Sequence, residues 1–439
     1  MREIESKKQK KYFQESLRLH KKYGGKIGTS LKCPVRNYED FALWYTPGVA
    51  APCNKIAEVE ENVYKYTSKG NTVAVVSDGS RVLGLGNIGP QAALPVMEGK
   101  ALLYKYLGGV DAYPVCVEVE KPEKIVGLVE AIQPTFGGIN LEDISSPECF
   151  GILRKLRKRC QIPVWHDDQQ GTAAVTLAGL INALKLTGRE LDDVKIALVG
   201  AGASNIRIAD LIIKSGADPG RILMCDSKGV LSKKRENLKL ENPDKWDMAK
   251  KTNGQNITGG IPEAMENADV LIALSRPGPG VIKKKWIKNM ADQPVVFACA
   301  NPTPEIWPWE AKEAGAAIVA TGRSDFDNQV NNSLGFPGIF RGALDVRAST
   351  ITDKMCIEAA QSLAQFARKK GISADYIIPT MDQPEVFAKE AADVGMQAVK
   401  EGVAQKTDVT RDKLEQNAAQ KIKKARKEVQ VLMEKKIID

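Results

Sequence analysis

The sequence predicts a two-domain α/β protein with a helical C-terminal extension, and three observations predict it. Short β-branched runs alternate with stretches of helical apolar spacing along most of the chain, the signature of parallel sheets covered by helices. A glycine cluster beginning at residue 200 follows one of these runs at once and opens a helix. At 439 residues the chain is also too long for one ordinary hydrophobic core. The expected division is an N-terminal α/β domain over 1–170, a second α/β domain over 171–395 and a basic helical extension over 396–439.

Composition narrows the function. The apolar fraction of 43% is that of a globular protein, and no run approaches the roughly 18 uncharged apolar residues of a membrane span. The opening Met-Arg-Glu-Ile-Glu-Ser-Lys-Lys carries acids and lacks an apolar core, so no cleavable leader is expected and the chain is assigned to the cytoplasm. Eight scattered cysteines show no metal-ligand spacing and read as free thiols in a reducing compartment. The net charge of +9 concentrates in Lys7–Lys11, Lys283–Lys285 and Lys421–Lys427, tracts without aromatic interleaving, so neither nucleic acid nor membrane is expected as a partner. The same excess helps to steer a small dianionic acid or a phosphate-bearing cofactor. Of the two histidines, His20 lies in a lysine-rich helix, which leaves His166 and sends most acid and base chemistry to other residue types.

Residues 1–25 read as a helix, with Tyr12, Phe13, Leu17 and Leu19 on a lysine-rich background and Gly24-Gly25 as its stop. Pro47-Gly48 forces a turn directly after Tyr45 and holds that phenol beside a rigid bend; such a tyrosine is core unless something nearby needs a proton donor. Thr72–Val76 is a strand ending at Ser77-Asp78-Gly79-Ser80, and a second such run follows from Arg81 to Ile88. Glycines 84 and 86 in it and Gly89 directly after it have no clear acidic partner downstream, so they read as close backbone approach around a small ligand, with Arg81 available as a bidentate carboxylate clamp. The next helix, through Pro95–Tyr104, sets Lys100 between Met97 and Leu103 on a largely apolar face, where a lysine either snorkels to water or is desolvated for a purpose. A strand at Tyr113–Val119 and a helix at Pro122–Ile132 lead into the stretch that organises the chain.

That stretch runs from Phe136 to Thr172. Two short apolar runs, Ile139–Leu141 and Ile162–Trp165, each end in an acidic pair, and between them Pro147–Cys160 carries Phe150, Leu153 and Leu156 at helical spacing. Strand, helix, strand makes parallel neighbours joined by a crossover, so Glu142, Asp143, Asp167 and Asp168 project from one carboxyl edge, where open α/β sheets place ligands. Like charges there repel by roughly 4 kcal/mol per close pair at an effective dielectric near 20. A divalent cation relieves this, and all-oxygen ligation selects Mg2+ or Mn2+ over zinc. Solvated turns, or Asp167 and Asp168 capping the helix from Thr172, are the plainer alternatives.

The second domain opens with the apolar helix Thr172–Thr187, which stops at Gly188 and is apolar enough to be buried between the domains. The strand Val194–Val199 runs straight into Gly200-Ala201-Gly202-Ala203-Ser204-Asn205 and a helix; a further strand, Arg221–Cys225, ends at Asp226. This is the Rossmann-like dinucleotide fingerprint: the glycines admit a pyrophosphate to the helix N-terminus and the acid accepts from an adenosine ribose. Asn205 stands at the third glycine position, which is tolerable if the helix sits slightly farther from the strand. Asp226 favours a free 2'-hydroxyl and hence NAD+, whereas Ser227, Lys228, Lys233 and Lys234 suit the 2'-phosphate of NADP+. Further strands at Val270–Leu274, Val295–Cys299 and Ala317–Ala320 follow; the second of these runs into Asn301, and Asn331 and Asn332 lie beyond the third, each a neutral hydrogen-bond partner for an amide or carboxylate or simply a turn former. The closing helix Asp412–Glu434 is basic and amphipathic and suits packing or subunit contact.

Tyr45-Thr-Pro-Gly-Val-Ala, Leu85-Gly-Asn-Ile-Gly, Pro95-Val-Met-Glu-Gly-Lys100, Leu141-Glu-Asp, Asp167-Asp-Gln-Gln-Gly-Thr-Ala, Asn331-Asn332 and Phe336-Pro-Gly338, in this order, resemble the malic enzymes in their shorter prokaryotic-type form, over roughly residues 15–395. The resemblance implies oxidative decarboxylation of (S)-malate to pyruvate and CO2 with NAD+ or NADP+ and Mg2+ or Mn2+. It implies Tyr45 as general acid, Lys100 as general base, Glu142, Asp143 and Asp168 as metal ligands, and Arg81, Asn301 and Asn331 or Asn332 as malate contacts, with Asp167 orienting this group from just outside. It also implies a homo-oligomer, a dimer first of all.

The chemistry makes sense of those roles. A lysine with an ordinary pKa near 10.4 accepts the C2 hydroxyl proton near neutrality only if burial or nearby charge lowers it by about 2–3 units, and the apolar face of Lys100 pushes that way, as does a neighbouring cation. Three other functions would reuse these parts: a metal-dependent decarboxylating dehydrogenase of another 2-hydroxy acid, a catalytically silent nucleotide-binding regulator, and a nucleic-acid binder using the basic tracts. The silent regulator has no need of Tyr45, Lys100 and all the carboxylates together.

Overall fold

The computed structural model describes residues 2–119 and 121–438, with side chains from residue 9 onward, so Lys7 and Lys8 of the first basic tract lie outside the described side chains. Among the described residues, ten strands form two sheets. The first comprises β1 (Thr72–Ser77), β2 (Asp111–Cys116), β3 (Gly138–Leu141) and β4 (Val164–His166), all parallel in the order β2-β1-β3-β4. The second comprises β5 (Ile196–Val199), β6 (Ile222–Asp226), β7 (Gly229–Val230), β8 (Val270–Ala273), β9 (Val295–Ala298) and β10 (Ile318–Thr321) in the order β10-β9-β8-β5-β6-β7, with only β7 antiparallel. The strand order reverses between β5 and β8, the crevice where such a sheet binds a ligand.

Strands β1, β3 and β4 and all of β5, β8, β9 and β10 are buried on both faces, which is why they read as unbroken apolar runs rather than alternating ones. The run from Arg81 to Ile88 is an exception to the expected reading. Leu83 at φ 47° and Gly86 at φ 80° turn the chain back on itself, and the segment keeps a single bridge between Val82 and Gly86 instead of forming a strand.

Three late helices return to the first sheet. Phe336–Asp345 packs on the helix Gly89–Gly108, with the Tyr104 and Phe336 rings 4.6 Å apart. Arg411–Glu434 buries Leu414, Ala418, Ile422 and Ala425 beneath its basic face, and Glu385–Lys400 lies between these two helices. Gly342 makes this packing possible, because a Cβ there would lie 2.3 Å from the Ala391 carbonyl oxygen. No helix among the described residues is long and apolar enough to cross a membrane.

Candidate active site

The parallel register of β3 and β4 pairs Leu141 with His166, so the two acidic pairs leave the sheet side by side. The backbone N–H of Asp143, at φ 54°, donates to Asp168 Oδ2 at 2.9 Å and locks the two strand ends together. One carboxylate oxygen from each of Glu142, Asp143 and Asp168 lies within 4.8 Å of the others, and Asp143 Oδ2 is buried without a hydrogen-bond partner. An orphaned buried acceptor inside an all-oxygen cluster fits a hard divalent cation. Burial, with Asp168 adding to it, pushes Asp143 up to about 8, and burial lifts Glu142 well above the usual carboxylate range. A cation would relieve both.

Asp167 takes a different position. It opens a π-helical turn, Asp167–Gly171, and neither it nor Asp168 caps the helix Thr172–Leu186. Its Oδ1 accepts from Trp165 Nε1 at 3.1 Å, while its Oδ2 accepts from Lys100. A Cβ at Gly171 would fall 1.9 Å from Asp167 Oδ1, so this glycine lets the turn wrap closely around the carboxylate.

Lys100 does not snorkel. It is 9% exposed, lies 3.2 Å from Glu142 Oε1, and stands 4.5 Å above the centre of the Phe336 ring. Burial pushes this lysine down, as its apolar face suggests, but Asp167 and Glu142 more than reverse the effect and hold it above its ordinary value. Among the groups of the chain itself, two carboxylates distant in sequence outweigh the apolar surroundings, whereas a neighbouring cation would act in the opposite sense. His166 is fully buried, and burial lowers its pKa against the opposing pull of Asp168 and Asp167.

Arg81 is brought to the cluster by its own backbone, whose N–H donates to the Asp143 carbonyl at 3.0 Å, and its side chain is exposed. Gly84 makes a close approach, but to protein: a Cβ there would lie 2.5 Å from Pro277 Cγ and 2.7 Å from the Asn301 carbonyl oxygen. The Arg81 loop thus meets the Asn301 loop across the two sheets. Asn331 spends its amide locally, donating to Gly322 O at 3.0 Å and accepting from Ser333 N at 3.0 Å. Asn332 makes no side-chain hydrogen bond among the described residues, and its Cβ is 3.2 Å from where a Gly171 Cβ would sit, beside Asp167. Tyr45 stands apart: the residue is 73% exposed and its hydroxyl bonds to nothing among the described residues, so the chain alone does not join it to Lys100.

Three neighbours were not anticipated. Asn140 Nδ2 donates to Glu142 Oε2 at 2.9 Å, and the buried Tyr104 hydroxyl donates to Asn140 Oδ1 at 3.2 Å. Tyr104 follows Lys100 by one helical turn and so shares its face, a signal available in the sequence. Phe336 comes from a distant helix, and although it stands in one of the motifs quoted above, no local spacing ties it to Lys100.

In the second sheet, Gly200 at φ 102° would bring a Cβ to 2.3 Å from the Leu274 carbonyl oxygen, whereas Gly202 has open space around it. Ala203 and Ser204 begin the helix Ala203–Lys214, whose first N–H groups have no partner within the helix. Asn205 is fully buried and donates to Val199 O at 3.0 Å and Gly200 O at 2.9 Å, so it pins the helix to the glycine loop. Asp226 ends β6 beside that loop, where Gly200 N donates to Cys225 O at 2.8 Å.

Residues 24–157 match the family described as malic enzyme, N-terminal domain, and residues 169–400 match malic enzyme, NAD binding domain. The chain is 50% identical over 394 residues to the bifunctional malic/malolactic enzyme of Bacillus subtilis (strain 168), covering 90% of this chain and 95% of that one. It is 46% identical both to the NAD-dependent malic enzyme of Geobacillus stearothermophilus, over 88% of this chain and 79% of that one, and to the NADP-dependent malic enzyme of Halomonas elongata, over 87% and 92%. The crystal structure of Entamoeba histolytica malic enzyme superposes with a TM-score of 0.95 at 52% identity, over 97% of this chain and 89% of that one.

Proposed function

This chain belongs to the malic enzyme family, and from that premise we propose that it oxidatively decarboxylates (S)-malate to pyruvate and CO2 with NAD+ or NADP+ and a divalent cation. The observation that carries the reading is the convergence of Glu142, Asp143 and Asp168 beside the buried Lys100 and Asp167 pair, with Asp143 Oδ2 left unsatisfied.

When bound, the cation supplies Lewis acidity toward substrate oxygens and the nicotinamide supplies a hydride acceptor. The residues of the chain do the rest. Lys100 takes the proton of the C2 hydroxyl, for which it must be neutral; neutralising Glu142, Asp143 and Asp168 removes part of the charge that holds its own proton, and Asp167 remains as its partner. Arg81, Asn301 and Asn332 orient the substrate carboxylates, while Asn140 and Tyr104 hold Glu142 in place. After CO2 has left, C3 needs a proton, and Tyr45 is the donor that Lys100 replenishes.

Tyr45 can do this only from a covered surface, because an exposed phenol competes with bulk water. Tyr38, Phe41, Leu43 and Trp44 around it are exposed too, an apolar patch of the kind that marks an interface. We therefore include association of two copies in the reading, with this segment in the contact. Sedimentation showing a monomer at working concentration overturns that part alone.

The whole reading is tested by initial rates with malate, NAD+ or NADP+ in turn, with and without Mn2+. Malate-dependent nicotinamide reduction with pyruvate release, lost on chelation and restored by Mn2+, is expected. Reduction with another 2-hydroxy acid but not with malate overturns the substrate.

A further inference from the structure

Asp226 stands where a dinucleotide-binding sheet places the acid that accepts from the adenosine ribose, yet its carboxylate has no acceptor site left to offer. Its Oδ1 accepts from the backbone N–H of Lys228 at 2.9 Å and from Arg235 Nη1 at 2.8 Å. Its Oδ2 accepts from Arg235 Nη2 at 3.0 Å and from Lys245 Nζ at 2.9 Å. A carboxylate has about four lone-pair sites, and here all are taken.

The donors are in the opposite condition. Arg235 spends Nη1 on Asp226 and on Gly229 O at 3.1 Å and Nη2 on Asp226, which leaves part of its five-donor fork free. Lys245 uses one of its three ammonium hydrogens. Side-chain exposure is 7% for Asp226 against 16% for Arg235 and 22% for Lys245, so the cations face outward from a carboxylate beneath them. One carboxylate between two cations leaves the strand end positive. Lys233 and Lys234, exposed and in no ion pair among the described residues, add to it.

We propose that this subsite is built for a nucleotide bearing a 2'-phosphate, NADP+ rather than NAD+, with Arg235 and Lys245 receiving the phosphate and Asp226 as the positioning residue that holds them. A phosphate needs donors and positive charge, both present; a ribose hydroxyl seeks the acceptor that is already occupied. The proposal rests on reading Gly200–Gly202 as the pyrophosphate loop, and it reverses the preference that Asp226 suggests by its position alone.

Fluorescence titration of the purified protein with NADPH and with NADH, without malate or metal, tests it. NADPH is expected to bind at least about tenfold more tightly, with a steeper loss of affinity in salt. In Arg235→Gln/Lys245→Gln, NADPH binding should fall by more than about tenfold while NADH binding holds or improves, because Asp226 regains its acceptors. Competition on the unaltered protein needs no variant to fold: adenosine 2',5'-bisphosphate should displace NADPH well below the concentration at which 5'-AMP does. NADH binding as tightly as NADPH, or the two competitors acting alike, overturns the proposal. Binding of neither nucleotide overturns the dinucleotide reading and the proposal with it.

Discussion

Lys100 Nζ lies 3.2 Å from Glu142 Oε1, so the proposed base and a proposed metal ligand form one electrostatic unit. Whatever charge occupies the carboxylate cluster sets the proton affinity of the lysine, and the reverse holds equally.

Lys100→Ala should cost on the order of 100-fold to 10,000-fold in turnover, the range for a positioned general base, and should abolish the rise of rate with pH at limiting malate. Lys100→Arg should not rescue it, because guanidinium keeps its proton at any workable pH. A near-normal rate for Lys100→Arg would move the base to Asp167.

Asp168→Asn and Glu142→Gln should each lose most activity and need far more Mn2+, since each removes a charged oxygen ligand. Added Mn2+ should also raise the Tm of the unaltered protein by mass action and do so weakly in both variants, which calorimetry reads without any turnover. Full turnover after exhaustive chelation would refute the assignment.

For Tyr45→Phe the expected result is slow overall turnover with nucleotide and malate binding intact, because the phenol acts only after CO2 has left. Solvent exchange at C3 of pyruvate separates the steps, and exchange at the unaltered rate would remove Tyr45 from the mechanism.

Glu305 gives a pH signature outside the catalytic cluster. Burial pushes it up to about 7 although it accepts from Ser275 N at 2.8 Å and Ala300 N at 3.0 Å, bridging the loops after β8 and β9. Its folded value lies above its unfolded one, near 4.3, so between these the folded state binds more protons and stability falls as pH rises. Glu305→Gln should flatten the Tm profile between about pH 4 and 7. An unchanged slope in the variant would mean that Glu305 stays ionised in the fold.

The parts of the site legible in sequence are those that local patterns encode. The β3, helix, β4 order places Glu142, Asp143, Asp167 and Asp168 on one edge, because two apolar runs around a helix form parallel neighbours. The glycines at 200 and 202 and the acid at 226 were readable in the same way. The Arg81–Ile88 run misled because its valine and leucines fit a strand while Leu83 adopts a positive φ that composition does not announce.

What only the tertiary structure decided are sums over residues far apart in the chain. The apolar face of Lys100 is local, but the sign of its pKa shift depends on Asp167 and Glu142, which arrive from other strands. The position of Asp226 is local, but its availability depends on Arg235 and Lys245. Tyr45 sits before a rigid turn in sequence, yet its 73% exposure follows from which surfaces the folded chain leaves uncovered. Periodicity and turn chemistry act over a few bonds and can be read along a line, whereas electrostatics and burial act through space and exist only once the chain has closed on itself.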